Sequence, residues 1–475
     1  MYKFVLQPLR RFSAEVLGSI FEMASNLEPN FNSSPTETYL PGSPTSTVPP
    51  WSLSHVCSRW REVAISYPQL WSSISMALGT SVRGWRNVDR GLESAMFFIS
   101  RQLKRSRDCP LTLALDISHT LQYGSLSRAL LLSLTAHSNQ WRDVLIKHTV
   151  LNEKDLVLFE SIGGALSSLR TLRIFYQTQA SLPEQRIHAF EYAPKLTELW
   201  LTCPSSMVKN LYFPWSQITH LCLSTDAQQS LILLSKMPNL ISCVLEVSSV
   251  SAGLLPQDVP LQLASLKLLT FNFQKYLPNP QQILDRISVP ALESLEFMGS
   301  CMDVDQGLAD ALSHFIQRSQ NALKNFKLWT RKSQSVDVVS ILRVLPASVT
   351  SLSLQVNPTS YGVQFGGDIV IQAFRRSPEG YLCLPFLQTL HLHSTGITTD
   401  ILDVLESRRE LMDGANRAIQ SLKYLSLSGY GVPNNHFLSD HRAITLQNDG
   451  LVLRVSLEIQ PPEPQPSYYY YDGFD

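Results

Sequence analysis

His391 and His393 flank Leu392 with a period of two, so on a strand both imidazoles project from the same face. Such a pair holds a metal only with a third ligand, and no neighbouring residue stands at a spacing that would supply one. A pair of surface histidines is the simpler expectation. The seven cysteines form no C-x-x-C and no Cys/His cluster. Cys243 fills a position that most copies of the pattern give to leucine, and Cys203, Cys222 and Cys301 lie on or just after apolar segments. A catalytic thiol needs a basic partner, which the sequence alone does not locate. No nucleophile elbow, H-E-x-x-H helix or glycine-rich phosphate loop occurs. The expectation is therefore a chain with no catalytic residue, no metal and no cofactor.

The residues left as candidates bind rather than react: Arg173, Phe175, Trp200, Glu296, Lys327, Trp329, His391 and His393. What aligns them is a repeat. The pattern apolar-x-x-apolar-x-apolar recurs as Leu169-Leu172-Ile174, Leu196-Leu199-Leu201, Ile218-Leu221-Leu223, Leu240-Cys243-Leu245 and Leu266-Leu269-Phe271. It continues as Leu292-Leu295-Phe297, Leu323-Phe326-Leu328, Val349-Leu352-Leu354, Leu387-Leu390-Leu392 and Leu422-Leu425-Leu427, with a degenerate early copy at Trp141-Val144-Ile146. Successive starts lie 22 to 38 residues apart. The last two apolar positions of each copy share one face of a short strand, which a single copy cannot bury but a stack can. The residue between them points the other way. That outward row reads Arg173, Trp200, Cys222, Val244, Thr270, Glu296, Lys327, Ser353, His391 and Ser426, and the next includes Phe175, Asn272, Met298, Trp329 and His393. Exposed aromatic residues there would concentrate binding energy, unless a loop or the C-terminal tail covers them.

Helix signals fill the intervals. Asp226 stands as an N-cap before residues 229–236, and 280–287 and 308–317 have the same character. Strand, turn, helix and return make the leucine-rich-repeat unit, so the expected fold class is α/β: an N-terminal helical module followed by a repeat solenoid, an α/β horseshoe. A doubly wound α/β domain has a similar period and is the alternative. Its strands, buried on both faces, would read as longer apolar runs, and its nucleotide loops are missing here.

The chain has 475 residues, 39 Lys and Arg against 39 Asp and Glu, and 16% charged residues. This balance gives no global electrostatic pull toward nucleic acid or an anionic membrane. No apolar run is long enough for a membrane helix, and the N-terminal apolar run is too short for a signal peptide. With scattered cysteines, these features lead us to expect an intracellular protein, cytoplasmic or nuclear.

Near the N-terminus, Val16, Leu17, Ile20 and Phe21 form one helical stripe, and Leu53, Val56, Trp60, Val63 and Ala64 another. Tyr67-Pro68-Gln69-Leu70-Trp71 then returns the chain. So few helices with so much apolar surface call for a partner. The string from Leu53 to Ala64, followed by Pro68-Gln-Leu-Trp71-Ser-Ser-Ile74, resembles the second half of an F-box, as in fungal F-box proteins with C-terminal leucine-rich repeats. The resemblance implies docking on a Skp-type adaptor of a cullin–RING ubiquitin ligase, with the repeats capturing a protein substrate. It places Phe12, Val16, Leu17, Ile20, Val56, Cys57 and Trp60 at positions that contact that adaptor or support the contact, with packing among the helices as the alternative for each. The chain departs from the pattern at Ser13, where the family has proline, and by a Pro-rich insertion at 24–50.

The expected organisation is a module over 1–78, a linker helix over 79–110, repeats over 111–460 opened by the strand Leu111–Ile117, and a Pro- and Tyr-rich tail over 461–475. Arg101, Lys104, Arg105 and Arg107 at the end of the linker helix read as solvated cations at a helix C-terminus. Asn448-Asp449-Gly450 reads as a closing hairpin turn. The function expected is that of a substrate-recruiting subunit of a ubiquitin ligase. The alternative is a protein-binding repeat scaffold with no ligase role.

Overall fold

The computed structural model describes residues 12–25, 49–77, 88–116, 125–148, 162–176 apart from 163 and 165, 186–247, 259–272 and 280–299. It also describes 303–356 apart from 321, 331 and 334, then 371–375 apart from 372, 383–393, 400–413, 422–429 and 438–457. The expected insertion at 24–50 falls largely outside these residues, and the tail at 461–475 wholly so. Two compact units are present, one of residues 1–225 with 232–240 and the other of 226–231 with 241–475.

The first unit begins with α1 (Ala14–Ser25), α2 (Trp51–Ser54) and α3 (Ser58–Ser66). The second apolar stripe is thus two helices rather than one, broken where Cys57 adopts extended backbone and its Sγ accepts from Trp60 N. Leu17, Phe21, Trp51, Val63, Ala64, Leu70 and Trp71 form one buried cluster. Gly18 belongs to the same interior, because a Cβ there would lie 2.2 Å from Cζ of Tyr67. Trp71 Nε1 donates to Ala64 O at 2.7 Å, tying the Pro68–Trp71 turn to α3.

That turn runs directly into β1 (Ser73–Ala77), which pairs in parallel with β2 (Leu111–Asp116). The sheet therefore opens at β1, one strand earlier than expected. The helix α4 (Val88–Ser106) clamps the join: Gln102 Nε2 donates to Ser73 O at 2.6 Å. Arg105 lies over Trp51 and Trp71, 4.7 and 4.2 Å from their ring centres. It is not the solvated cation expected of it, and burial lowers its pKa. After α5 (Ser125–Thr135) follow β3 (Trp141–His148), β4 (Thr171–Tyr176), β5 (Glu198–Thr202) and β6 (His220–Thr225), each parallel to the one before. Register aligns Ile74, Leu113, Val144, Leu172, Leu199 and Leu221 in one buried row.

The second unit carries β7 (Ser242–Val247), β9 (Leu268–Asn272), β11 (Ser294–Met298), β13 (Asn325–Thr330), β15 (Ser351–Val356), β16 (Thr389–His393), β17 (Tyr424–Gly429) and β18 (Val452–Leu457), again parallel and in chain order. Short pairs, β8 (Leu261–Gln262) with β10 (Ile287–Ser288) and β12 (Asp303–Val304) with β14 (Lys332–Ser333), lie between the main strands in sequence. Leu245, Phe271, Phe297, Leu328, Leu354, Leu392 and Leu427 align in one inward row.

The repeats are equivalent at the backbone as well. At strand entry two consecutive N–H groups donate to one carbonyl of the preceding copy: Glu293 and Ser294 to Lys267 O, Lys324 and Asn325 to Glu293 O, Thr350 and Ser351 to Lys324 O. The first unit does the same with Thr197 and Glu198 on Arg170 O. Strands stacked in chain order, one per repeat, are the arrangement of a solenoid and exclude the reshuffled order of a doubly wound sheet.

The C-terminal end differs from expectation. Residues 441–448 are helical and β18 is parallel to β17, so no hairpin forms. Asp440 caps that helix by accepting from Arg442 N at 2.9 Å. Leu451 N donates to Leu446 O and Gly450 N to Gln447 O, the paired bonds of a Schellman stop, with Gly450 at φ 97°. An Asp-Gly pair thus ends a helix instead of turning the expected hairpin.

Candidate functional site

Three surfaces collect the candidate residues. The first is the outer side of α1 to α3. Phe12, Val16, Ile20 and Met23 follow one another at helical spacing, and Leu17 and Phe21 occupy the opposite, inner stripe. Val16 is 44% exposed, Met23 71% and Val56 50%, and Phe12 and Cys57 are also exposed. Arg59 Nη2 donates to Phe12 O, which ties the entry to α1 to the first turn of α3. Ile20 is half-buried. Trp60 is likewise half-buried, its ring 4.8 Å from that of Phe21. Leu17 has no exposed surface and is a core residue, unable to touch a partner itself.

The second is the outward face of the second unit. Register places Glu296, Lys327, Ser353, His391, Ser426 and Arg454 in one row, and Met298, Trp329, Gln355, His393 and Ser428 lie beside it. All but Arg454, which is exposed, are half-buried. The His391 ring lies 5.1 Å from Tyr424, and its pKa is lowered by burial and secondarily by Lys327. His393 Nδ1 is 2.9 Å from Ser428 Oγ, and Asn272 donates to Glu246 at 2.9 Å. Among the described residues no group of three His, Cys, Asp or Glu side chains could hold a metal ion. Burial pushes the Cys203 thiol up to about 12 and the Cys383 thiol up to about 11, and that of Cys243 rises as well, which leaves all three thiols protonated at neutral pH.

The third is the outward face of the first unit, and here the expectation of an open surface fails. Arg173 is only 6% exposed and Phe175 only 3%. Phe175 packs with Ala114 and Leu145, with Trp200 half-buried against them, into a second apolar cluster on the side of the sheet expected to face solvent. The Arg173 guanidinium lies 4.0 Å from the Trp200 ring centre. Beside this cluster is an open cavity of about 410 Å³, of mixed polar and apolar lining, that no sequence motif announced, because its walls come from α1, the Pro68–Trp71 turn and the starts of β1 to β4.

No protein-family model matches the chain, and no curated protein matches it. Among solved structures, an internalin from Listeria monocytogenes aligns at 13% identity over 72% of this chain and 93% of its own, with a TM-score of 0.30. The leucine-rich repeat-containing protein LegL7 from Legionella pneumophila aligns at 16% identity over 74% and 92%, with a TM-score of 0.34. Identity and score are too low to transfer a ligand or an activity. No described helix is long and apolar enough to cross a membrane.

Proposed function

We propose that this chain is a non-enzymatic substrate-recruiting subunit of a cullin–RING ubiquitin ligase. In this reading it docks a Skp-type adaptor through α1 to α3 and holds a protein substrate on the outward face of its repeats. The observation that carries the reading is the apolar surface left on a folded helical module. Phe12, Val16, Met23 and Val56 stay exposed although Leu17, Phe21 and Trp71 already supply a core. Several large apolar residues left exposed on one small module mark an interaction surface more than scattered exposure does. The substrate side rests on Glu296, Lys327, Trp329, His391 and His393, a mixture of charge and aromatic surface suited to a protein ligand. Such a protein makes no bonds; it raises the effective concentration of substrate near a conjugating enzyme.

Co-expression with a Skp-type adaptor tests the reading. We expect stoichiometric co-purification that Val16→Asp and Val56→Asp together abolish while the far-ultraviolet circular dichroism stays unchanged. Leu17 is unsuitable for this purpose because its loss would unfold the module. Failure of the wild-type chain to retain any such adaptor would remove the ligase role and leave a repeat scaffold.

A further inference from the structure

The outward face of the second unit divides by charge. Among the described residues, no Asp or Glu occupies an outward position on β13, β15, β16, β17 or β18. Lys327, His391 and Arg454 stand there in one row, and Trp329 and Tyr424 share the face. Glu246 and Glu296 enter only on β7 and β11, farther along the stack. Arg454 is exposed, its guanidinium 5.7 Å from the Tyr424 ring centre, and Val452 on the same strand is 51% exposed. A face that gathers cations and aromatic rings without a carboxylate is complementary to an acidic segment.

The chain itself supplies one. Residues 458–475, outside the described part, follow directly on β18 and contain Glu458, Glu463, Asp472 and Asp475 with no Lys or Arg. Tyr468 to Tyr471 add a run of phenol rings. Lys327 on β13 lies four strand spacings from β18, about 19 Å at the usual interstrand distance. Eighteen residues extend up to about 60 Å, so the segment spans the row. Because it is tethered beside the face, modest contacts suffice to hold it there.

We propose that residues 458–475 dock in cis on the outward face of β13 to β18. The carboxylates meet Lys327 and Arg454, and the tyrosines lie against these cations and Trp329. Docking in cis rests on the charge of this face and not on a ligase role. A substrate held on the same face would have to displace the segment.

Carbodiimide cross-linking of the full chain, which joins a lysine only to a carboxylate in direct contact, tests the inference when read by peptide mass spectrometry. The ion pair of Lys324 with Glu293, at 3.3 Å, is the positive control in the same unit. The expected product joins Lys327 to Glu463, Asp472 or Asp475, with a yield independent of protein concentration. A mixture of unlabelled and isotope-labelled chains should give no hybrid of it. Arg454→Glu, at an exposed side chain, should lower the yield about fivefold. The inference is overturned if the control forms without the Lys327 product, if hybrids account for that product, or if Arg454→Glu leaves its yield unchanged. Adaptor retention, which reads α1 to α3, is measured separately and is indifferent to each of these outcomes.

Discussion

At the scale of single residues, identity and burial separate roles that spacing had merged. Val16 and Leu17 belong to one apolar stripe in the sequence, yet one is 44% exposed and the other fully buried. A helix turns 100° per residue, so a stripe four residues wide always spans both a packed edge and a free one. Gly18 is fixed by close approach rather than by backbone conformation. Gly18→Ala should destabilise the first unit by about 1–3 kcal/mol through overpacking against Tyr67, read as a lower urea midpoint. His391 gives a prediction with a definite sign. Its folded-state pKa is lowered by burial, so the stability it contributes is present above its unfolded value of about 6.5 and is lost as pH falls through the folded value. The melting temperature should therefore drop on acidification below about pH 6.5, and His391→Gln should remove that component. An acid profile left unchanged by the substitution would overturn this assignment.

At the scale of elements, a capping side chain acts locally and is legible in the sequence, whereas the helix expected over 280–287 is only the turn Gln281–Leu284, because Ile287 enters β10. Asp226 caps the helix Ala227–Leu234 by accepting from Gln229 N at 2.8 Å, as its position before an apolar run indicated. Asp305 does the same for Gln306–Ser319 through Leu308 N at 2.8 Å. Asp305→Ala should cost about 1 kcal/mol, with amide exchange rising first in the opening turn of that helix. The Asn-Asp-Gly stretch at 448–450 was legible only in part. Glycine at positive φ serves a hairpin turn and a helix stop equally, and the choice depended on whether Ile444 and Leu446 sat on a strand or a helix. With Asp440 capping and Ala443 and Leu446 buried together, the helix prevailed.

At the scale of the whole molecule, each repeat buries its inward residues only against its neighbours, so damage should spread along the stack rather than remain in one strand. Phe297 lies between Phe271 and Phe326, with ring centres 5.3 and 6.0 Å away. Phe297→Ala should cost about 3–5 kcal/mol, with hydrogen exchange accelerating in β9, β11 and β13 together. Protection lost in β11 alone would mean that the copies are not coupled.

The sequence by itself determined the repeat, its inward apolar rows and the parallel stacking that follows, because strand periodicity and the need to share a core are properties of local pattern. Parity also groups the outward residues into rows that the strand register keeps aligned. Only the tertiary structure decided which outward residues remain accessible. Arg173 and Phe175 have the same parity as His391 and His393, yet the first pair is buried and the second half-buried. It likewise decided that the sheet begins at β1, directly after the N-terminal helices, and that a cavity forms where residues of α1 meet those of β2 to β4. Exposure and cavities depend on elements distant in the chain, whose meeting no periodicity records.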